Sequence, residues 1–268
     1  MSKTVLITGG SSGIGKAIGE YLSKRGYQVY GTSRNPNRIS SSVFPLLKMD
    51  VNDTESIEAV ISEILDKSKR IDVVINNAGV GITGPIEETP EPEIKKAFQT
   101  NFYGPINVIK AVMPHMREQG GGHILNITSI AGYMGLPYRG IYSATKAALE
   151  ITIEAMRMET LQFGVKMTNI APGDFATNIA AGRYHAPVLD DSPYKRDYGS
   201  TLKMMDEHVD NGGDPLEMAK VVHKIIETPN PKIHYKVGAP LQKFSIVLKR
   251  VLPDRVYERM LLKHYGLK

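Results

Sequence analysis

The stretch Thr4-Val-Leu-Ile-Thr-Gly-Gly-Ser-Ser-Gly-Ile-Gly15 decides the fold. Residues 4–7 are a short apolar run, the loop behind them carries glycines at 9, 13 and 15, and Ala17, Ile18, Tyr21 and Leu22 then recur at helical spacing up to Gly26. The reading is strand, glycine loop, helix. Backbone amides at such a helix N-terminus face outward without partners, and glycines let a pyrophosphate come close to them. The spacing differs from the common Gly-x-Gly-x-x-Gly, so the flanking strand and helix carry the argument. Gly9, Ser11, Ser12, Gly13, Ile14 and Gly15 become candidate dinucleotide contacts.

Outward from this unit, strands are predicted at 4–7, 28–32, 45–48, 73–76, 123–128, 166–171 and 233–237, with helices in the gaps. Asp214-Pro-Leu-Glu217 reads as an N-cap, a first-turn proline and a capping glutamate, which starts a helix running to about 227. Alternation of this kind predicts an α/β chain, a single doubly wound Rossmann domain with a seven-stranded parallel sheet and helices on both faces. In such sheets ligands sit beyond the carboxyl ends of the strands, where the strand order reverses. The dinucleotide-binding and catalytic part is placed at 1–238, with 239–268 as a helical extension of the same domain.

The longest predicted helix, 141–163, begins with Tyr142-Ser-Ala-Thr-Lys146. A phenol and an amine at i and i+4 share one helix face about one turn apart. The ammonium stabilises the negative charge that the phenol acquires on giving up its proton, which suits Tyr142 to acid–base work. With the Ser129 hydroxyl nearby in sequence, these residues describe a proton-transfer site that needs a hydride carrier.

Together the motifs resemble the short-chain dehydrogenase/reductase family over about 3–237. The resemblance rests on Thr8-Gly-x-x-x-Gly-Ile-Gly15, Asp50-Val51, Asn76-Asn-Ala-Gly79, Asn101, Ser129, Tyr142-x-x-x-Lys146 and Pro172-Gly173 with Thr177. It implies that Tyr142 exchanges the proton with the substrate oxygen, Ser129 hydrogen-bonds that oxygen, Lys146 stabilises the tyrosine anion and holds the nicotinamide ribose, and Asn101 anchors a water-linked proton path. It also implies cofactor contacts from Asp50 and Val51 to adenine, from Asn77, Ala78 and Gly79 along the adenosine ribose, and from Pro172, Gly173, Phe175 and Thr177. Asn76 is expected to brace the neighbouring sheet backbone.

The end of the second strand selects the cofactor. NAD sites commonly place an acid there for the ribose 2′-hydroxyl, whereas Thr32-Ser33-Arg34 offers hydroxyls and a guanidinium, which suit a 2′-phosphate. The expectation is NADP(H), held by Ser33 and Arg34 with help from Arg38.

Composition narrows the remaining classes. The 268 residues, 41% hydrophobic, can bury one large core, and the absence of cysteine rules out disulfides and thiolate metal sites. The seven histidines lack the short spacing of a metal pair, so no metal is expected, and His115 and His123, flanking a glycine-rich turn, read as surface residues. A net charge of +5 without a dense basic stripe gives no sign of nucleic-acid binding. No apolar run reaches the ~18 residues of a spanning helix, and the opening residues lead straight into a strand, so a cytoplasmic protein is expected.

Two segments are predicted to shape the substrate end. Residues 176–213, with Tyr184, His185, Tyr194, Tyr198, Met204 and Met205, read as a lid with bending points at glycines 182, 199, 212 and 213. After 237, Leu241, Phe244, Val247, Leu248 and Val251 recur at helical spacing, followed by Val256, Tyr257, Met260 and Leu261 among basic residues. This tail resembles that of the retinol and 17β-hydroxysteroid dehydrogenase branch. Pocket or subunit packing is its expected role, peripheral membrane contact the other reading.

The sequence thus predicts an NADP(H)-dependent oxidoreductase interconverting an alcohol and a ketone or aldehyde on a lipophilic substrate, in a homo-oligomer. A 3-oxoacyl carrier-protein reductase shares the site and is the rival enzyme. A non-catalytic NADP(H)-binding redox sensor or scaffold is the rival from another class.

Overall fold

The computed structural model describes residues 2–175, 182–210 and 212–267, with backbone alone over 206–210. Its strands are β1 (Thr4–Ile7), β2 (Gln28–Ser33), β3 (Leu46–Lys48), β4 (Val73–Asn76), β5 (Ile82–Thr83), β6 (Gly122–Ile127), β7 (Val165–Pro172), β8 (Tyr184–His185) and β9 (His234–Val237). Its helices are α1 (Gly13–Ser23), α2 (Thr54–Ser68), α3 (Glu91–Phe98), α4 (Gly104–Glu118), α5 (Gly140–Thr160), α6 (Lys195–Asp210), α7 (Pro215–Glu227), α8 (Pro240–Val251) and α9 (Asp254–His264).

Seven strands form one parallel sheet in the order β3-β2-β1-β4-β6-β7-β9, and β5 pairs with β8 apart from it. The chain moves outward from β1 to β3, then returns to place β4 on the other side of β1. That reversal opens a crevice beyond the carboxyl ends of β1 and β4, where a doubly wound sheet binds its ligand.

Strand side chains alternate between two apolar layers. Leu6, Val74 and Ile124 meet α2, α4 and α5 through Ile57, Ile61, Val108, Val112, Leu149 and Ile153. Val5, Ile7, Ile75 and Leu125 meet α1 and α7 through Ile18, Leu22, Met218 and Val222. A strand buried on both faces reads as a continuous apolar run, which is why Thr4–Ile7 shows no polar alternation. Helix starts follow their caps: Asp53 accepts from the amides of Glu55 and Ser56 ahead of α2, and Asp214 accepts from Leu216 at the start of α7.

Several expectations need correction. His123 is buried, not a surface residue: its Nε2 meets Thr168 Oγ1 at 3.0 Å, and burial pushes its pKa down to about 4. Asn76 braces a side chain instead of backbone, donating from Nδ2 to Asn126 Oδ1 at 2.9 Å. In the segment expected to be a lid, β8 and α6 give the described part regular structure. Tyr198 is 1% exposed and donates to the Ala186 carbonyl at 2.9 Å, so it anchors the segment instead of meeting substrate. Gly199 lies inside α6 and is no hinge. In the tail, Ile246, Leu248 and Leu252 pack with Ile130, Met134 and Tyr257, whereas Leu241, Phe244, Val247 and Val251 of the expected stripe face outward.

Candidate active site

The glycine loop is held by the turn after β4. Thr8 Oγ1 accepts from the amides of Asn77 (3.0 Å) and Ala78 (2.9 Å), while Asn77 Nδ2 donates to the carbonyls of Thr8 (2.9 Å) and Gly9 (3.0 Å). Gly9 and Gly13 adopt left-handed backbone at φ 66° and 52°. A Cβ on Gly15 would stand 2.4 Å from the Gly9 carbonyl, so Gly15 works from behind the loop and is not on the cavity wall. Ser12 is extended and its hydroxyl caps nothing, which leaves the first amides of α1 facing the cavity beside Gly9, Ser11, Gly13 and Ile14. Open amides, a macrodipole and a loop that only glycine can close fit the pyrophosphate of a dinucleotide.

From this loop a cavity of about 1680 Å³ runs along the carboxyl end of the sheet. Ordinary small-molecule pockets measure roughly 300–1,000 Å³, so the space suits a dinucleotide together with a second molecule. At one end lie Ser33, Arg34 and Arg38, with Asp50 and Val51 beside them. Both arginines are exposed and form no ion pair among the described residues, which leaves their charge available to an anion. The Asp50 carboxylate accepts from the Asn52 amide at 3.0 Å and shapes the turn after β3. Asn77, Ala78 and Gly79 line the middle, with the Asn77 amide already committed to the loop. Pro172, Gly173 and Phe175 line the far side, and Thr177 lies outside the described residues.

Ser129, Tyr142 and Lys146 line the same cavity between the glycine loop and its apolar far end, with Lys146 Nζ 6.0 Å from the Tyr142 ring centroid. Ser129 follows β6, and its Oγ accepts from the Ala131 amide at 3.1 Å, capping the turn Ile130–Tyr133. The start of α5 is fixed by Tyr138, whose φ of 58° is rare for a side-chain-bearing residue. Its carbonyl accepts from the Gly84 amide at 2.9 Å, and its ring lies 5.3 Å from that of Tyr198. One turn after Tyr142, the buried Lys146 ammonium donates to the Ile127 carbonyl at 3.0 Å, which aims it back at the strand end.

Asn101 stands behind this wall, not on it. It lies in a π-helical turn, Gln99–Tyr103, between α3 and α4 and is fully buried. Its Oδ1 accepts from the Val80 amide at 2.8 Å, and its Nδ2 donates to the Val80 carbonyl (2.9 Å) and to Thr145 Oγ1 (3.1 Å). The side chain therefore clamps the strand exit after Gly79 to the helix that carries Tyr142 and Lys146.

Sequence reasoning missed two groups. Arg139, three residues before Tyr142, holds its guanidinium 5.3 Å from the Tyr142 ring centroid, and helical spacing alone would have flagged it. Glu150, one turn beyond Lys146, is a buried carboxylate accepting from Thr128 Oγ1 (2.5 Å) and Asn169 Nδ2 (2.9 Å) and meeting His234 Nδ1 at 2.9 Å. It binds the residue before Ser129 to α5, β7 and β9 through one side chain. The tail, for which pocket or subunit packing was expected, supplies a further wall of the cavity. Gln242 Nε2 donates to Asp174 Oδ2 at 2.7 Å, and Leu248, Tyr257, Leu261 and Tyr265 join Met134 and Leu136 around the cavity beyond Ser129. Burial pushes the Tyr265 pKa up, with Arg139 beside it acting in the opposite direction.

Residues 3–187 match the family described as short chain dehydrogenase. The chain is 37% identical over 265 residues to the 3-ketodihydrosphingosine reductase of Bacteroides thetaiotaomicron, an alignment covering 98% of each protein. It is 29% identical over 258 residues to retinol dehydrogenase 8 of Bos taurus, covering 88% of this chain and 81% of that one. The solved structure of ElxO with NADP bound matches it with a TM-score of 0.70 and 30% identity, over 88% of this chain and 97% of that one.

Proposed function

The chain belongs to the short-chain dehydrogenase/reductase family, and we propose that it is an NADPH-dependent reductase of ketones, and of aldehydes, carried on long alkyl chains. The observation that carries this reading is the apolar arm of the cavity, walled by Met134, Leu136, Leu248, Tyr257 and Leu261 next to Ser129 and Tyr142. Such a wall favours hydrocarbon over hydrated groups by about 0.8 kcal/mol per methylene removed from water. The name of the Bacteroides relative describes a ketone of this type, near the head of a long chain.

Bound along the cavity, the reduced nicotinamide supplies the hydride. Tyr142 gives its phenolic proton to the carbonyl oxygen, and Ser129 donates a hydrogen bond that orients that oxygen. Lys146 stabilises the phenolate left behind. Asn101 supports the proton path as a positioning residue, by holding Val80 and Thr145 in place. At the adenosine end, Arg34 and Ser33 take the 2′-phosphate through charge-assisted hydrogen bonds, with Arg38 beside them. The exposed Ile151, Met158 and Leu161 at the outer face of α5 and the turn after it support a homo-oligomer.

The test is NADPH consumption by purified protein against 3-ketodihydrosphingosine, short soluble ketones, retinal and 3-oxoacyl thioesters. The expected result is a kcat/KM for the long-chain ketone at least about tenfold above that for a short one, a difference of about 1.4 kcal/mol. Preference for the thioester would replace this reading with that of a carrier-protein reductase. NADPH binding without turnover on any carbonyl would replace it with that of a sensor.

A further inference from the structure

The C-terminal helices present an apolar face that the rest of the chain leaves open. On α8, Leu241, Phe244, Val247 and Val251 are 74%, 52%, 46% and 73% exposed, whereas Ile246 on the opposite side is 1% exposed. Spacings of three and four residues put Phe244, Val247 and Val251 in one stripe. Leu241, at its N-terminal edge, and the exposed Met260 of α9 both also line the cavity, so the stripe runs up to the mouth. Contiguous exposed apolar surface of this kind marks an interaction site.

The charge around the stripe says what covers it. Residues 240–267 contain Lys243, Lys249, Arg250, Arg255, Arg259 and Lys263 against two acids, Asp254 and Glu258, in a chain whose whole net charge is +5. Lys249 pairs with Asp254 at 3.0 Å, while Arg250, Arg255 and Arg259 are exposed and form no ion pair among the described residues. Lys243 and Arg250, seven residues apart, flank the apolar stripe on one side. A second copy docking by the same face would bring these cations against their own equivalents, which opposes a two-fold contact. An anionic surface with an apolar interior matches both the stripe and its flank. Among the described residues no helix is long and apolar enough to cross a membrane, so the fitting geometry is a helix lying in the interface.

We propose that α8 and α9 dock the protein on the surface of an anionic bilayer. Phe244, Val247 and Val251 enter the boundary between headgroups and acyl chains, and the arginines lie on lipid phosphates. Leu241 and Met260 then turn the mouth of the cavity toward the lipid, so that an apolar substrate passes in without crossing water. The docking goes beyond the proposed reaction and does not depend on turnover.

Flotation of the full-length protein tests this. Vesicles of phosphatidylcholine alone are compared with vesicles of roughly 3:1 phosphatidylcholine to phosphatidylglycerol, in about 0.1 M and about 0.5 M NaCl. The wild type should float with the anionic vesicles at least about tenfold more than with the neutral ones, and the higher salt should weaken it. Two variants, F244S/V247S/V251S and R250Q/R255Q/R259Q, should each lose about tenfold in binding while keeping the wild-type melting temperature, since all six side chains are exposed. A wild type that stays at the bottom of the gradient with anionic vesicles overturns the proposal. So does wild-type flotation by both variants. A dimer that dissociates in the serine variant, without lipid binding by the wild type, would assign the stripe to a subunit contact instead.

Discussion

At the adenosine end of the cavity, Gly9, Gly13 and Gly15 bring backbone against backbone, and the Asn77 amide is spent on the loop carbonyls. At the substrate end, Met134, Leu136, Leu248 and Leu261 bring side chain against side chain, and they come from segments more than a hundred residues apart. A site made of main chain has little room for change, because a single added methyl collides with the Gly9 carbonyl. A wall made of apolar side chains can be reshaped by substitutions of similar volume, at a cost of under about 1.5 kcal/mol each. One end of the cavity is therefore set by the fold, and the other is where members of one fold can differ in substrate.

The largest effect should fall where the two ends meet. Tyr142→Phe removes the proposed proton donor and leaves both walls intact, so turnover should drop about a hundred- to ten-thousandfold while NADPH affinity, measured by fluorescence titration, stays within about twofold. Retention of a tenth of the wild-type rate would take Tyr142 out of the chemistry.

Truncation after Ala239 acts mainly on the substrate end, with the Gln242–Asp174 contact beside Gly173 its one reach toward the cofactor. It removes Ile246, Tyr257 and Tyr265, buried side chains worth roughly 1.5–3 kcal/mol each. Melting temperature and turnover of long-chain ketones should both fall, with NADPH binding by the folded fraction the least altered. Unchanged stability and kinetics would break the contrast between the two ends.

His123 lies outside both, at the end of β6 far from Ser129. Its pKa is held down to about 4 by burial, so as pH drops below the usual histidine range of about 6.5 the unfolded chain takes up the proton first. The stability tied to its neutral form is complete above about pH 6.5 and is lost toward pH 4, by about 3 kcal/mol. Urea unfolding across that window should show the slope, and His123→Gln should reduce it.

Arg34→Asp sharpens the adenosine end. Loss of a charge-assisted hydrogen bond worth about 1.5–3 kcal/mol should lower kcat/KM with NADPH roughly ten- to a hundredfold and favour NADH. Equal use of the two cofactors by the wild type would detach Arg34 from the 2′-phosphate. The smallest effect belongs to Phe244→Ser alone, which should change the unfolding free energy by under about 1 kcal/mol, because about half of the residue is already in solvent.

The same contrast explains what the sequence could reveal. All seven sheet strands and the start of α5 were readable because inner parallel strands are unbroken apolar runs, and because glycine, Asp-Pro and Tyr-x-x-x-Lys are local signals. The tail was readable as helical but not as to which face would be buried. Leu248 and Leu241 look alike in the pattern, and only the position of Ile130 and Met134 decides that Leu248 turns inward. His123 misled because neighbouring glycines suggest exposure, whereas its strand runs through the centre of the sheet. Glu150 left only its spacing from Lys146, since its partners Thr128, Asn169 and His234 are brought together by three strands.

The π-helical turn Gln99–Tyr103 has a consequence of its own. One surplus residue is wound into an otherwise continuous helical rod, and it is what points Asn101 at Val80 while α3 and α4 each keep their apolar side toward the sheet. Taking out one residue there would restore ordinary winding with α3 and α4 still in register, and would remove the widened turn from which Asn101 reaches Val80 and Thr145. A single-codon deletion across 99–103 should therefore leave the helical rod standing while breaking the Asn101 clamp, whereas substitutions at the exposed positions of the turn should leave both intact.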